Sequence, residues 1–112
     1  MTPDETSAAV AKVLAWESDP LEIWPRLKWR NKFTKARRLK LPPYFTDRTL
    51  VGEMIAWLTA NVTGRVTIDI DSNGFAWIAL RDSLGATTYT TNDRVAINAA
   101  LCAAVLAVEA MK

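Results

Sequence analysis

Eight cations fall within fifteen residues of this chain: Arg26, Lys28, Arg30, Lys32, Lys35, Arg37, Arg38 and Lys40, with no acid among them. The segment carries +8 in a protein whose formal charge is only +2, so the remaining residues carry −6. Trp24, Trp29, Phe33, Tyr44 and Phe45 lie within or beside it. Cations interleaved with aromatics can neutralise phosphates while bases stack on the rings. The same composition suits docking on an acidic protein, where charge steers the encounter and aromatic or arginine side chains anchor it. A third reading is a solvated connection whose aromatics enter the core while the lysine and arginine heads reach water. The expected contact residues are Trp24, Arg26, Lys28, Trp29, Arg30, Lys32, Lys35, Arg37, Arg38 and Lys40.

Other candidate chemistry is sparse. There is no histidine, which removes the commonest general base and metal ligand together with the usual Ser/His/Asp and Cys/His arrangements. Asp69-Ile70-Asp71-Ser72-Asn73-Gly74 imitates the opening of a calcium loop, but the twelfth position is Leu80 where a bidentate glutamate is needed. The flanking alternation reads instead as two strands joined by a turn. Asp69, Asp71 and Glu53 are the acids to consider for metal-assisted chemistry, and no positioned nucleophile or phosphate-cradling glycine loop accompanies them. Cys102 is the single cysteine and sits where a small apolar residue is expected, so it reads as inert packing. The expectation is a protein that is not an enzyme, with no cofactor and no metal.

The elements that position these residues follow from periodicity. Thr2, Pro3 and Glu5 form a capping-box start, and Ala9, Val10, Val13 and Leu14 recur at helical spacing, predicting a helix over 3–16. Residues 19–43, broken by Pro20, Pro25, Pro42 and Pro43, read as an irregular basic segment. Thr46 or Asp47 can cap a helix over 47–61 with Leu50, Val51, Met54, Ile55 and Leu58 on one face. Strands are expected over 65–71, 75–81 and 87–91, as an antiparallel three-stranded meander. Thr91 or Asn92 would cap a last helix over 93–110, apolar on nearly all sides. That helix is expected either to lie under the N-terminal helix or to form a homodimer through Val95, Asn98, Ala99, Cys102 and Val105.

These elements predict one α+β domain in 112 residues. The first residues lack the basic and apolar regions of a signal peptide, and no apolar run approaches the roughly 20 residues of a membrane span. With a lone cysteine, this predicts a cytoplasmic protein of a bacterial host cell, without a membrane partner.

Val10-Ala11-Lys12-Val13-Leu14-Ala15-Trp16-Glu17, Pro42-Pro43-Tyr44-Phe45-Thr46-Asp47 and Ala99-Ala100-Leu101-Cys102-Ala103-Ala104 follow one another in an order that resembles the phage ABA sandwich domain, a helix–sheet–helix family of bacteriophage and prophage proteins. With the intervening strands the resemblance covers most of the chain; residues 20–40 match no pattern of the family. It implies a phage or prophage origin and a three-layer α/β/α sandwich with helices flanking the sheet. It brings no catalytic residues. The function expected is non-enzymatic binding of a host or phage protein, with inhibition of a host defence system as a specific form. The alternatives are a nucleic-acid-binding accessory protein using residues 24–40 and a structural or assembly protein.

Overall fold

A computed structural model describes residues 1–18 and 28–112. Thr2 caps the first helix, α1 (Pro3–Val13), with its Oγ1 accepting the Glu5 amide at 3.2 Å and its hydroxyl donating to Glu5 Oε1 at 3.1 Å. The helix stops three residues short of the expected 16. Ala15 takes φ +73°, a left-handed conformation that costs a non-glycine residue about 1 kcal/mol. Its carbonyl accepts the Lys32 amide at 2.9 Å, and the reversal delivers Trp16 into a strand instead of a fourth helical turn.

That strand, β1 (Trp16–Ser18), pairs antiparallel with β2 (Trp29–Asn31), which pairs with β3 (Arg37–Arg38). Two strands, residues 29–31 and 37–38, therefore fall within the segment expected to be irregular, of which residues 19–27 lie outside the described residues. Three-residue strands give too short a run for alternation to be read from sequence.

Asp47 accepts the Thr49 amide at 3.0 Å and opens a 3-10 turn, Arg48–Leu50, that runs into α2 (Val51–Asn61). The meander is present as β4 (Arg65–Ile70), β5 (Phe75–Arg81) and β6 (Thr87–Thr90), with Val66 opposite Leu80 and Ile68 opposite Ile78. A fourth strand, β7 (Val95–Ala96), pairs with the start of β5. It displaces the last helix, α3 (Ile97–Ala110), which begins at 97 and not at 93. Thr91 is no cap; its hydroxyl accepts the Ile78 amide at 3.0 Å and its own amide donates to the Ile78 carbonyl.

Among the described residues this is an α+β fold of three helices and two antiparallel sheets. Ala76, Ile78 and Leu80 of the central strand face α3, and α1 and α2 both pack on α3. These contacts put helices against one face of the larger sheet and do not establish a helical layer on the other.

Of the five residues expected at a homodimer contact, Asn98, Cys102 and Val105 are buried within the chain, Ala99 is half-buried and Val95 is exposed, so α1 and α2 pack on α3 where three of the five were expected to meet a second copy. Asn98 Nδ2 donates to the carbonyls of Tyr44 and Asp47 at 2.9 and 2.8 Å. The one polar residue expected within the apolar helix thus ties α3 to the turn before α2. Replacing Asn98 by alanine removes the side-chain donor from the buried Tyr44 carbonyl and from the half-buried Asp47 carbonyl, which keeps the Leu50 amide, and is expected to cost about 2 kcal/mol in a urea melt. A loss below about 0.5 kcal/mol would mean that solvent reaches both carbonyls.

Tyr44 is fully buried. Its hydroxyl accepts the Trp16 indole N–H at 2.8 Å and donates to Glu53 Oε2 at 2.8 Å. Burial, reinforced by the Glu53 carboxylate, pushes the phenol well above its usual value. A raised value in the folded state means that its contribution to stability is complete below the unfolded value of about 10 and is lost as pH rises from there. Wild type is therefore expected to exceed Tyr44→Phe in stability by a constant margin at neutral pH, a margin that shrinks above about pH 10. Paired chemical denaturation across that range measures it; an unchanged margin would contradict a buried phenol.

Candidate interaction surface

The turn between β2 and β3 is organised by one asparagine. Asn31 is buried; its Nδ2 donates to the Leu14 carbonyl at 2.9 Å, and its Oδ1 accepts the amides of Phe33 and Thr34 at 3.0 and 3.1 Å. Its backbone amide donates to Ala36, and its carbonyl accepts from Lys35. Lys35 completes the reversal at φ +62°. The tip is held to the end of α1 by the same side chain that shapes it, so its cations stand on a defined scaffold.

Alternation then sorts the segment. Trp16, Trp29 and Asn31 turn inward, and Trp29 is half-buried against the core. Glu17, Arg30 and Arg37 are aligned across the three strands on the outer face. Arg30 bonds Glu17 at 3.1 Å and Lys32 lies 3.6 Å from the same carboxylate. The Arg30 hydrogen bond is the main cause that holds the Glu17 carboxyl below its usual range, and Lys32 adds to it. Arg30 Nε is buried without a hydrogen-bond partner among the described residues. One acid thus sits beneath several cations, and the outer face stays basic.

The expected contact residues divide accordingly. Lys28, Lys32, Lys35, Arg37 and Lys40 are exposed. Arg30 is half-buried in its pair with Glu17. Arg38 is half-buried, and its charge acts on Tyr44 and Asp47. Asp47 is held below the usual carboxylate range mainly by the Thr49 hydroxyl and amide. Charge reversal at Arg38 would therefore act on the fold as well as on any surface. Trp29 belongs to the core boundary and not to the contact face. Trp24 and Arg26 lie outside the described residues.

Two side chains that sequence reasoning did not single out as contacts complete the surface. Phe33, at the tip between Lys32 and Lys35, is 83% exposed, and Leu39 beside Lys40 is 54% exposed. The signal for Phe33 was present in the order Asn31, Lys32, Phe33, Thr34: an asparagine whose side chain can accept amides two and three residues on makes a turn there, with the intervening aromatic pointing outward. Next to the hairpin an open groove is lined by residues 37–41 with Asp4 and Pro43.

The acids considered for metal chemistry have separate structural partners. Asp69 accepts Arg94 at 2.5 Å. Asp71 Oδ1 accepts the amides of Asn73 and Phe75 at 2.9 and 3.0 Å, closing a hairpin turn over Gly74 at φ +80°. Glu53 receives the Tyr44 hydroxyl. Among the described residues no three His, Cys, Asp or Glu side chains are grouped as a metal would require. Cys102 is buried beside Met54, and burial pushes its thiol up to about 11, where little thiolate exists at neutral pH. No helix among the described residues is long and apolar enough to cross a membrane.

With this geometry in hand, comparison with known proteins adds no relative: no protein-family model, no curated protein and no solved structure matches the chain.

Proposed function

We propose that this chain is a non-enzymatic binding protein of phage or prophage origin whose basic hairpin, residues 28–40, docks on an acidic surface of a host or phage protein. The observation that carries the reading is Phe33: a phenylalanine 83% exposed at the tip of a buttressed turn, between two lysines. An exposed aromatic on a rigid support loses little conformational freedom on binding and fills a pocket, while the surrounding cations speed the encounter. Inhibition of a host defence complex is the specific form of this reading. The three-layer α/β/α sandwich belongs to the same proposal as the family resemblance; it needs a layer against the outer face of β4–β6.

Nucleic acid is the second reading, favoured by the single-sign charge of the segment. With Trp29 and Tyr44 turned inward, Phe33 is the exposed ring of the described hairpin, which provides less stacking surface than the sequence suggested.

The test uses Phe33→Ala and Lys35→Glu, both at exposed positions expected to leave the melting curve unchanged. Proteins captured from the bacterial host by wild type are expected to be lost, or weakened at least tenfold, with either variant. Labelled single- and double-stranded DNA and RNA, titrated at two salt concentrations, separate the second reading, since phosphate binding weakens as salt rises. Capture that is indifferent to both substitutions would remove the hairpin from the function.

A further inference from the structure

In the larger sheet two arginines are placed side by side. Arg65 opens β4 and Arg81 closes β5, and the register sets them directly opposite each other. Their neighbours Val66 and Leu80 face the core, so both guanidinium groups lie on the outer face. Cross-strand partners have Cβ atoms about 5 Å apart, and like charges in that position repel. Neither arginine has an ion pair or side-chain hydrogen bond among the described residues.

The backbone around the pair forms an open groove. Thr63 and Gly64 line one wall, and Ser83 and Gly85 of the β5–β6 turn line the other. Gly64 passes so close to the β5 backbone that a Cβ there would lie 2.0 Å from the Arg81 carbonyl and 2.3 Å from that of Asp82. The approach holds the two arginines at one mouth, and a bulge between Leu80 and Arg81 breaks the regular pairing with β6 at the same place. Asp82 also borders the groove, but its Oδ1 accepts the amides of Leu84 and Ala86 at 2.9 Å each, so its carboxylate is committed to the turn.

We propose that Arg65 and Arg81, with the hydroxyls of Thr63 and Ser83, form a binding site for a phosphate group. An anion between the guanidinium groups converts a repulsive pair into two charge-assisted hydrogen bonds, with geometry that arginine satisfies better than lysine. The site is separate from the basic hairpin and does not rest on the function proposed for it.

The probe is inorganic phosphate, titrated into the full chain against chloride at matched ionic strength, with amide chemical shifts as the readout. Saturable shifts confined to residues 63–65 and 81–85 are expected, and Arg65→Gln and Arg81→Gln should each weaken binding about tenfold. Each variant should melt no lower than wild type in phosphate-free buffer, because repulsion is relieved, and lower than wild type in saturating phosphate. Lys35→Glu on the hairpin should leave the titration unchanged. An oligothymidylate arm identifies the source: shifts at the same residues at lower concentration assign a nucleic-acid backbone, whereas phosphate binding without them assigns a free phosphate or phosphomonoester. Phosphate acting no differently from chloride, or binding undiminished in both variants, would overturn the site.

Discussion

Tyr44 joins three elements of the chain through its hydroxyl and its carbonyl. Its hydroxyl stands between the Trp16 indole of β1 and the Glu53 carboxylate of α2, and its carbonyl is held by Asn98 of α3. A buried hydroxyl must be satisfied or its desolvation is uncompensated, so the small sheet, the helix and the Pro42-Pro43 turn are constrained to meet at one place. Ser7 of α1 accepts the amide of Phe45 at 2.9 Å and brings in the first helix as well. The apolar core supplies most of the driving force. These directional bonds select which of many apolar packings is formed.

The same demand for satisfied polar groups shapes the basic hairpin. Eight like charges in fifteen residues repel, and an unsupported segment of that kind would spread into solvent. Asn31 offsets this by bonding the Leu14 carbonyl and two turn amides, while Glu17 neutralises part of the field from beneath. Most of the repulsion remains, directed outward from a fixed tip. Charge segregation of this order costs folding stability, and under the proposed function that cost is offset by association with an oppositely charged surface.

Regular alternation and caps made part of this structure legible beforehand. Val66, Ile68 and Ile70 alternate over a full strand, Asp71 to Gly74 has the residues of a hairpin turn, and the stripe from Leu50 to Leu58 repeats at helical spacing. Such signals survive because several residues agree. The small sheet gave no comparable signal: Trp16–Ser18 and Trp29–Asn31 are three residues each, and their pairing depends on a reversal at Ala15 that no glycine announces. The start of α3 was misplaced for a related reason. Val95 and Ala96 are apolar enough to join a helix, and only their pairing with Phe75 and Ala76 makes them a strand. At the candidate surface the cations were legible as composition, but their orientation was not. Whether Trp29 or Phe33 faces solvent depends on strand phase, which shifts by one residue and reverses every side chain.

Phase also decides what the two cationic regions can do. In the hairpin, Arg30 and Lys32 pair with Glu17, so the field is tempered at its base and the exposed apolar tip of Phe33 is left to provide contact area. At Arg65 and Arg81 two guanidinium groups, the residues Thr63 and Ser83, and Asp82, whose Oδ1 is bound to the turn amides, border a groove that Gly64 also lines. An exposed basic surface with an apolar anchor suits a macromolecule, because association must recover the freedom lost on binding through buried area. A narrow polar groove with concentrated charge suits a small anion, because its contacts are few and each must be strong. On the two proposals, the basic hairpin and the Arg65–Arg81 pair would serve different recognition problems, separated by the geometry that surrounds them and not by residue type.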